Sequence, residues 1–184
     1  LAGHLVKVLV VARWREDITW LADLPPGWLP EVVEKDVDVP NRGREPSSYL
    51  HAILQLYPVT EPADTFGFVQ GNPFDHCPDL MARLAHPVEW FDPLGTHPYQ
   101  SGPRGEPHHL GVPVGECHAK WLGGPMVGEV EFYAGGQFMI SGAALLSRPA
   151  DWYRAMYDDL ISRDDLSSWA AERLWPTIFA RADG

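Results

Sequence analysis

The sequence predicts a single α/β domain, residues 1–184, with a mainly parallel central sheet flanked by helices. Three observations carry that prediction. A chain of 184 residues has the length of one ordinary domain. Leu5–Ala12 (LVKVLVVA) is Val-rich and almost unbroken in apolar character, the signature of a strand buried on both faces. Strand-like and helix-like segments then alternate along the chain, the pattern of a sheet wrapped by helices.

After the first strand, Ile18–Leu24 reads as a short helix stopped by Pro25-Pro26, and Glu31–Lys35 as a second strand. Asn41-Arg42-Gly43 marks a turn. Ser47 or Ser48 is expected to cap a helix running through Tyr57, with Leu50, Ile53, Leu54 and Tyr57 on one face before Pro58. Thr65–Gln70 is the next strand, closed by Gly71-Asn72-Pro73, and Pro78–Ala85 is a short helix. Residues 92–128 are dense in Pro, Gly and His with weak periodicity. A loop of that length is expected to be functional, here a partly mobile cover over a cleft. Glu129–Tyr133 and Gln137–Ser141 read as strands around the turn Ala134-Gly135-Gly136. Pro149–Ile161 is a helix with Pro in its first turn, and Trp152, Met156 and Leu160 form one stripe. Ser167 or Ser168 is expected to cap a final helix from Trp169 to about Phe179.

Composition narrows the function. Lys plus Arg number 14 against 25 Asp plus Glu, a formal net charge of -11. There is no basic footprint for nucleic acid, and an anionic membrane surface is disfavoured for the same reason. The first apolar run is far shorter than the ~20 residues of a spanning helix and lacks a signal-peptide cleavage site. The expectation is a cytoplasmic protein that handles a small molecule, with Cys77 and Cys117 as free thiols. Arg far exceeds Lys, with much Ala, Pro and Asp, as in a GC-rich bacterial genome. Eight Trp and eight His suggest a pocket lined by aromatic and titratable groups.

In α/β sheets ligands bind beyond the carboxyl ends of the strands, which places Arg13–Asp17, Asn41–Glu45 and Gln70–His76 on one rim. Arg13 and Glu16 lie in a loop that either receives a phosphate or is a solvated turn. Asn41, Arg42 and Arg44 surround a glycine as an anion-binding turn would, or pair with surface acids. Glu45 and His51 follow on the same segment. Gln70 ends a buried strand, and Asn72, Asp75 and His76 follow it; a carboxylate beside an imidazole can hold a divalent ion or move protons. Of the histidines in the long loop, His109 is a candidate to line the site, and none matches zinc-ligand spacing. Gly135 and Gly136 let backbone approach a ligand closely, with Gln137 beginning the next strand. Glu172 sits among Trp169, Trp175 and Phe179 on the last helix, where a carboxyl is expected to have a raised pKa and to act as a base.

The segments VVARWREDITWL, NRGREPSSYLHAI, FGFVQGNPFDH, GEPHHLGVPV, YAGGQFMISGAALLSRPADWY and AAERLWPTIF occur in that order. Together they resemble an uncharacterised glycosyltransferase-like family of fungi and bacteria, domain of unknown function 3431, from about Val8 to Phe179. The resemblance implies a GT-A-like, nucleotide-diphospho-sugar transferase-like fold and transfer of a sugar from a nucleotide-sugar to a small acceptor. Arg13, Arg42 and Arg44 would then steady the diphosphate, Asp75 and His76 would hold a Mn or Mg ion, and Glu172 would deprotonate the acceptor. The Gln70–His76 segment stands where such enzymes carry Asp-x-Asp, yet offers one carboxylate. The alternative is a metal-independent acid/base enzyme, a lyase or cyclase of a biosynthetic pathway, centred on Glu45, His51, Asp75 and His76. A non-catalytic binding module is the third reading.

Overall fold

The apolar run near the start of the chain becomes an interior strand of the sheet. The structure, a computed structural model, describes residues 5–181. Its elements in chain order are β1 (Lys7–Arg13), β2 (Trp28–Glu34), α1 (Arg44–Leu56), β3 (Thr65–Gln70), α2 (Leu80–Leu84), β4 (Phe91–Pro93), β5 (Pro98–Ser101), α3 (Val114–His118), β6 (Val130–Tyr133), β7 (Phe138–Ser141), α4 (Gly142–Leu146), α5 (Ala150–Ser162) and α6 (Ser167–Ile178). Val8 through Ala12 are all buried because each face of β1 has its own core. Val8, Val10 and Ala12 join the larger one, beneath α1, α5 and α6, while Leu9 and Val11 join a smaller one with Trp28, Leu80 and Leu84. The same alternation continues across the sheet. Phe66 and Phe68 of β3, and Phe138 and Ile140 of β7, lie on the larger side, with Val69 and Met139 on the smaller. Gly67 permits this packing, since a Cβ there would meet Leu9 Cδ1 at 2.7 Å.

The five-stranded sheet has the order β2-β1-β3-β7-β4. β2 and β3 run parallel to β1, but β7 is antiparallel to both β3 and β4. The sheet is therefore mixed, not mainly parallel. β7 is entered from the Gly135-Gly136 turn, which lies at the carboxyl end of β3, where the Gln70 amide donates to Gly135 O at 3.0 Å. A strand starting there can only run back along β3. Burial did not reveal the direction, because FMIS in β7 is as fully buried as a parallel central strand.

Residues 92–128 are also more ordered in pattern than their composition suggests. β4 completes the main sheet, β5 pairs with β6 in a separate antiparallel ribbon, and Val112, Val114, Cys117 and Trp121 enter the larger core. β6 and β7 flank the glycine turn without pairing with each other. The helix starts differ as well. α1 begins at Arg44 after Gly43, with Pro46 in its first turn, where a missing N–H costs nothing. Ser47 is already helical, its hydroxyl donating to Arg42 O and Arg44 O. At α6 the Ser167 N–H is received by the Asp165 carboxylate at 2.9 Å, so neither serine is the cap.

The tryptophans are mostly pegs in the scaffold. Indole N–H groups of Trp20, Trp28, Trp90, Trp121 and Trp152 donate to Gly71 O, Leu84 O, Phe179 O, the Asp159 carboxylate and Trp121 O. Each fastens a loop or a distant element to the core. Among the described residues no helix is long and apolar enough to cross a membrane.

Candidate active site

Four pieces of chain meet at the carboxyl end of β3: the first turns of α1 and α6, the Ala134–Gly136 turn and the segment carrying His109. They enclose a cleft of about 210 Å³. Helical spacing selects what α1 and α6 contribute. Glu45 and Tyr49 are four residues apart on one face of α1, and Ser168, Trp169 and Glu172 share a face of α6. Gln70 ends β3, and His76 follows it.

Glu172 is the central group. Its Oε1 accepts the Gly135 N–H at 2.9 Å, and Oε2 has no hydrogen bond among the described residues. Burial raises its pKa above the ordinary glutamate range; Arg173, the Gly135 N–H and His76 oppose this without cancelling it. The turn beneath it must be glycine twice over. Gly135 has φ 90°, and a Cβ there would lie 2.6 Å from the His76 ring. Gly136 has φ 58°, and its Cβ would meet Glu172 Cγ at 3.1 Å. The paired glycines thus sit between His76 and Glu172 and let both close on the backbone.

Glu45 is the counterpart. Its burial also disfavours charge, but Lys35, whose Nζ is 2.8 Å from Oε1, outweighs that and holds the carboxyl below the ordinary range. Tyr49, fully buried, has a hydroxyl without a hydrogen-bond partner among the described residues. Burial, with the nearby Glu45 and Glu172, pushes its pKa well up, so it is a donor at any physiological pH. Arg44 adopts φ 52°, unusual for a non-glycine residue, and its guanidinium lies 5.5 Å from the Trp169 ring centroid. His109 stands edge-on to the same ring at 4.6 Å. Its Nδ1 is 2.9 Å from Arg173 NH2, and burial together with Arg173 lowers its pKa.

The sequence-derived candidates divide sharply. Arg44, Glu45, Gln70, His76, His109, Gly135, Gly136 and Glu172 line the cleft together. Gln70 also ties the glycine turn to β3. Gln137 lies behind, its side-chain Oε1 accepting the Gln70 N–H and its Nε2 donating to Pro73 O, each at 3.1 Å; it positions the rim. The others are engaged elsewhere. Arg13 faces Glu34 in the parallel register and pairs with it at 2.6 Å. Glu16 accepts the Trp14 N–H and packs against Gly71. The Asn41 N–H donates to Asp36, and Arg42 pairs with Asp164 at 3.2 Å on the surface. Arg13, Arg42, Arg44 and Gln70 therefore do not converge on one cleft; only Arg44 and Gln70 do. His51 lies six residues beyond Glu45, rotated off the cleft face of α1, and packs toward Tyr157. Asn72 and Asp75 bond each other on the exposed turn at 3.3 Å.

Asp75 and His76 were the candidate ligands of a Mn or Mg ion. The exposed Asp75 carboxyl turns to Asn72 while the His76 ring lies against Gly135. Among the described residues no group of three or more His, Cys, Asp or Glu side chains is placed to hold a metal. One carboxylate and one imidazole pointing apart do not fit the oxygen-rich shell these ions require. The thiols are buried and free, and burial pushes Cys77 and Cys117 each up to about 12, so neither is a nucleophile.

Residues that the sequence reading did not single out as site groups are Tyr49, Trp169, Arg173 and Lys35. A signal existed for two of them, since Tyr49 is i+4 from Glu45 and Trp169 is i−3 from Glu172. Lys35 and Arg173 come to the site only through tertiary packing. No family model, no curated protein and no solved structure matches the chain.

Proposed function

We propose that the cleft is the active site of a metal-independent acid/base enzyme acting on a small polar substrate. The divergence of two carboxyls in one cleft supports this reading: Glu172 is raised by burial, while Glu45 stays ionised beside Lys35. A pair driven apart in this way has one member suited to carry a proton and one suited to hold charge. In this mechanism Glu172 takes a proton from the substrate at Oε2, the oxygen that Gly135 leaves free, and can return it to a second substrate atom. The Glu45–Lys35 pair supplies fixed charge, and His76 steadies Glu172 when it is ionised. A base of this kind contributes ~10²–10⁴-fold in rate. The cleft, about 210 Å³, is smaller than the roughly 300–1,000 Å³ typical of drug-sized ligands, which favours a compact substrate. Elimination or ring closure in a biosynthetic pathway would suit such a site.

The reading is tested by incubating the protein with a panel of small hydroxy acids and keto acids in D₂O and following C–H signals by proton NMR. Exchange or turnover by the wild type and its loss in Glu172→Gln is the expected result. Equal activity in both proteins contradicts the proposal.

Glycosyl transfer from a nucleotide-sugar, on a GT-A-like scaffold, is the second reading. Glu172 favours it too, as a base for an acceptor hydroxyl, and the six-segment resemblance adds to it. In that case a Mn or Mg ion arrives with the donor diphosphate as part of the substrate. Thermal shift with uridine and guanosine diphosphates, with and without manganese, separates the two. Saturable stabilisation following RT ln(1 + [L]/Kd) supports transfer, and a flat response supports the acid/base reading.

A further inference from the structure

Trp169 is ringed by basic groups. Arg44 lies 5.5 Å and Arg173 5.9 Å from its ring centroid, with the His109 ring at 4.6 Å. Arg173 is only 1% exposed, yet it forms no salt bridge with a carboxylate among the described residues. Its NH1 donates to Trp169 O at 2.8 Å, its NH2 meets His109 Nδ1 at 2.9 Å, and its Nε has no partner. The neighbouring Glu172 attracts it only from beyond salt-bridge distance, and a buried charge so weakly compensated is costly, a cost that a ligand of opposite sign relieves.

The chemistry of the Arg173–His109 contact fixes a proton. A guanidinium only donates, so His109 Nδ1 must accept, and a neutral His109 carries its hydrogen on Nε2. His109 is then a donor polarised by the cation behind it. Arg44 supplies a second donor from the first turn of α1, a helix of 13 residues, and α6, of 12 residues, opens its own N-terminal turn onto the same cleft. Both helix ends favour negative charge. Of the two carboxyls present, Glu45 pairs with Lys35 at 2.8 Å and lies 3.5 Å from Arg44 Nε, and Glu172 is the other, so three cations, Lys35, Arg44 and Arg173, stand against two carboxyls. In a chain of net charge -11, this corner carries a surplus of positive charge.

We propose that Arg44 and the Nε2–H of His109, backed by buried Arg173, form an oxyanion-recognition site, and that the substrate carries a carboxylate or a phosphate there. This inference rests on the cleft being the ligand site, but does not need Glu172 to act as a base.

The test is nitrogen-15 NMR of protein labelled at histidine and tryptophan, during titration with inorganic phosphate and, separately, acetate. In the free protein His109 should be the Nε2–H tautomer. One of the two anions should shift the His109 and Trp169 side-chain signals saturably, phosphate or acetate telling which oxyanion the site prefers. Arg44→Gln should weaken that binding about 10-fold or more, the loss of one charge-assisted bond, and His109→Asn should weaken it too. Arg42→Gln should bind as the wild type does. These two substitutions carry the test because a buried Arg173 variant also perturbs folding. An Nδ1–H tautomer, no saturable shift with either anion, or binding unchanged in both Arg44→Gln and His109→Asn overturns the proposal. Glu172→Gln should still bind the anion. Anion binding without Glu172-dependent exchange leaves this site standing and removes the proposed reaction; the opposite pair of results does the reverse.

Discussion

The loop after β1 and the cleft between α1 and α6 both gather charged side chains, but the structure engages them in opposite ways. In the loop, every candidate has an internal partner: Arg13 with Glu34, Glu16 with the Trp14 N–H, and Asp17 with the Thr19 N–H and hydroxyl. In the cleft, polar groups are left incomplete. Tyr49 has a buried hydroxyl without a partner and Glu172 a carboxyl that burial tends to protonate, and Arg173, next to Glu172 on α6 but outside the lining, has a buried Nε without a partner. Charge at a strand end is therefore a poor mark of a site here. Unsatisfied polar groups in a concave place are a better one, since native interiors otherwise pair such groups almost completely.

That contrast can be broken by substitution. The largest effect belongs to Glu172→Gln, which should lower exchange or turnover ~10²–10⁴-fold while the melting temperature holds or rises, because a buried carboxyl has been replaced by a neutral group. A fall in melting temperature with activity lost only in proportion would return Glu172 to a structural role. Gly135→Ala comes next. It adds a Cβ 2.6 Å from the His76 ring at a φ of 90° and should cost about 2–4 kcal/mol in urea unfolding. Gly27→Ala is its control: a similar φ of 92° with nothing within 4 Å predicts a loss of only about 1 kcal/mol. Equal losses at the two glycines would mean that the close approach of His76 is not constraining. Tyr49→Phe removes an unpartnered buried hydroxyl and should leave stability unchanged or raise it by up to about 1 kcal/mol. A clear loss would reveal a partner for that hydroxyl in the folded protein. The smallest effect is at the surface: Arg42→Ala, which breaks an exposed pair with Asp164, should stay within about 0.5 kcal/mol of wild type and leave cleft binding intact.

Much of this was legible in the sequence where a single element decides the outcome. LVKVLVVA reads as a strand buried on both faces, and Glu172 among aromatic residues on a helix points to a desolvated carboxyl; β1 is buried on both faces and burial raises the Glu172 pKa. Elements that depend on pairing were not legible. The direction of β7 follows from where the Gly135-Gly136 turn sits in space, and nothing in FMIS encodes it. Arg13 looked like a rim donor, but the parallel register sets it against Glu34, and register joins residues far apart in sequence. The short elements within the Pro/Gly/His stretch are not legible in its sequence, because its core residues, Val112, Val114 and Cys117, are spaced by short turns that hide any period. His51 was grouped with Glu45 by proximity along the chain, although six residues of helix rotate it well away, whereas Tyr49 at i+4 stays on the cleft face.

Burial raises Glu172 above the ordinary glutamate value of 4.5, while Lys35 holds Glu45 below it. The two shifts have opposite consequences for stability. Glu172, raised in the folded state, contributes stability that is present below the unfolded value and lost as pH rises through its folded value. Glu45, depressed in the folded state, contributes stability that is present above the unfolded value and lost as pH falls through its folded value. The most direct measurement is a carboxyl carbon-13 NMR titration of glutamate-labelled protein, with Glu172→Gln and Glu45→Gln used to assign the signals. The signal lost in Glu172→Gln should titrate above 4.5 and the signal lost in Glu45→Gln below it. Coincident midpoints, or Glu172 titrating at or below the ordinary value, would contradict the divergence of the two carboxyls.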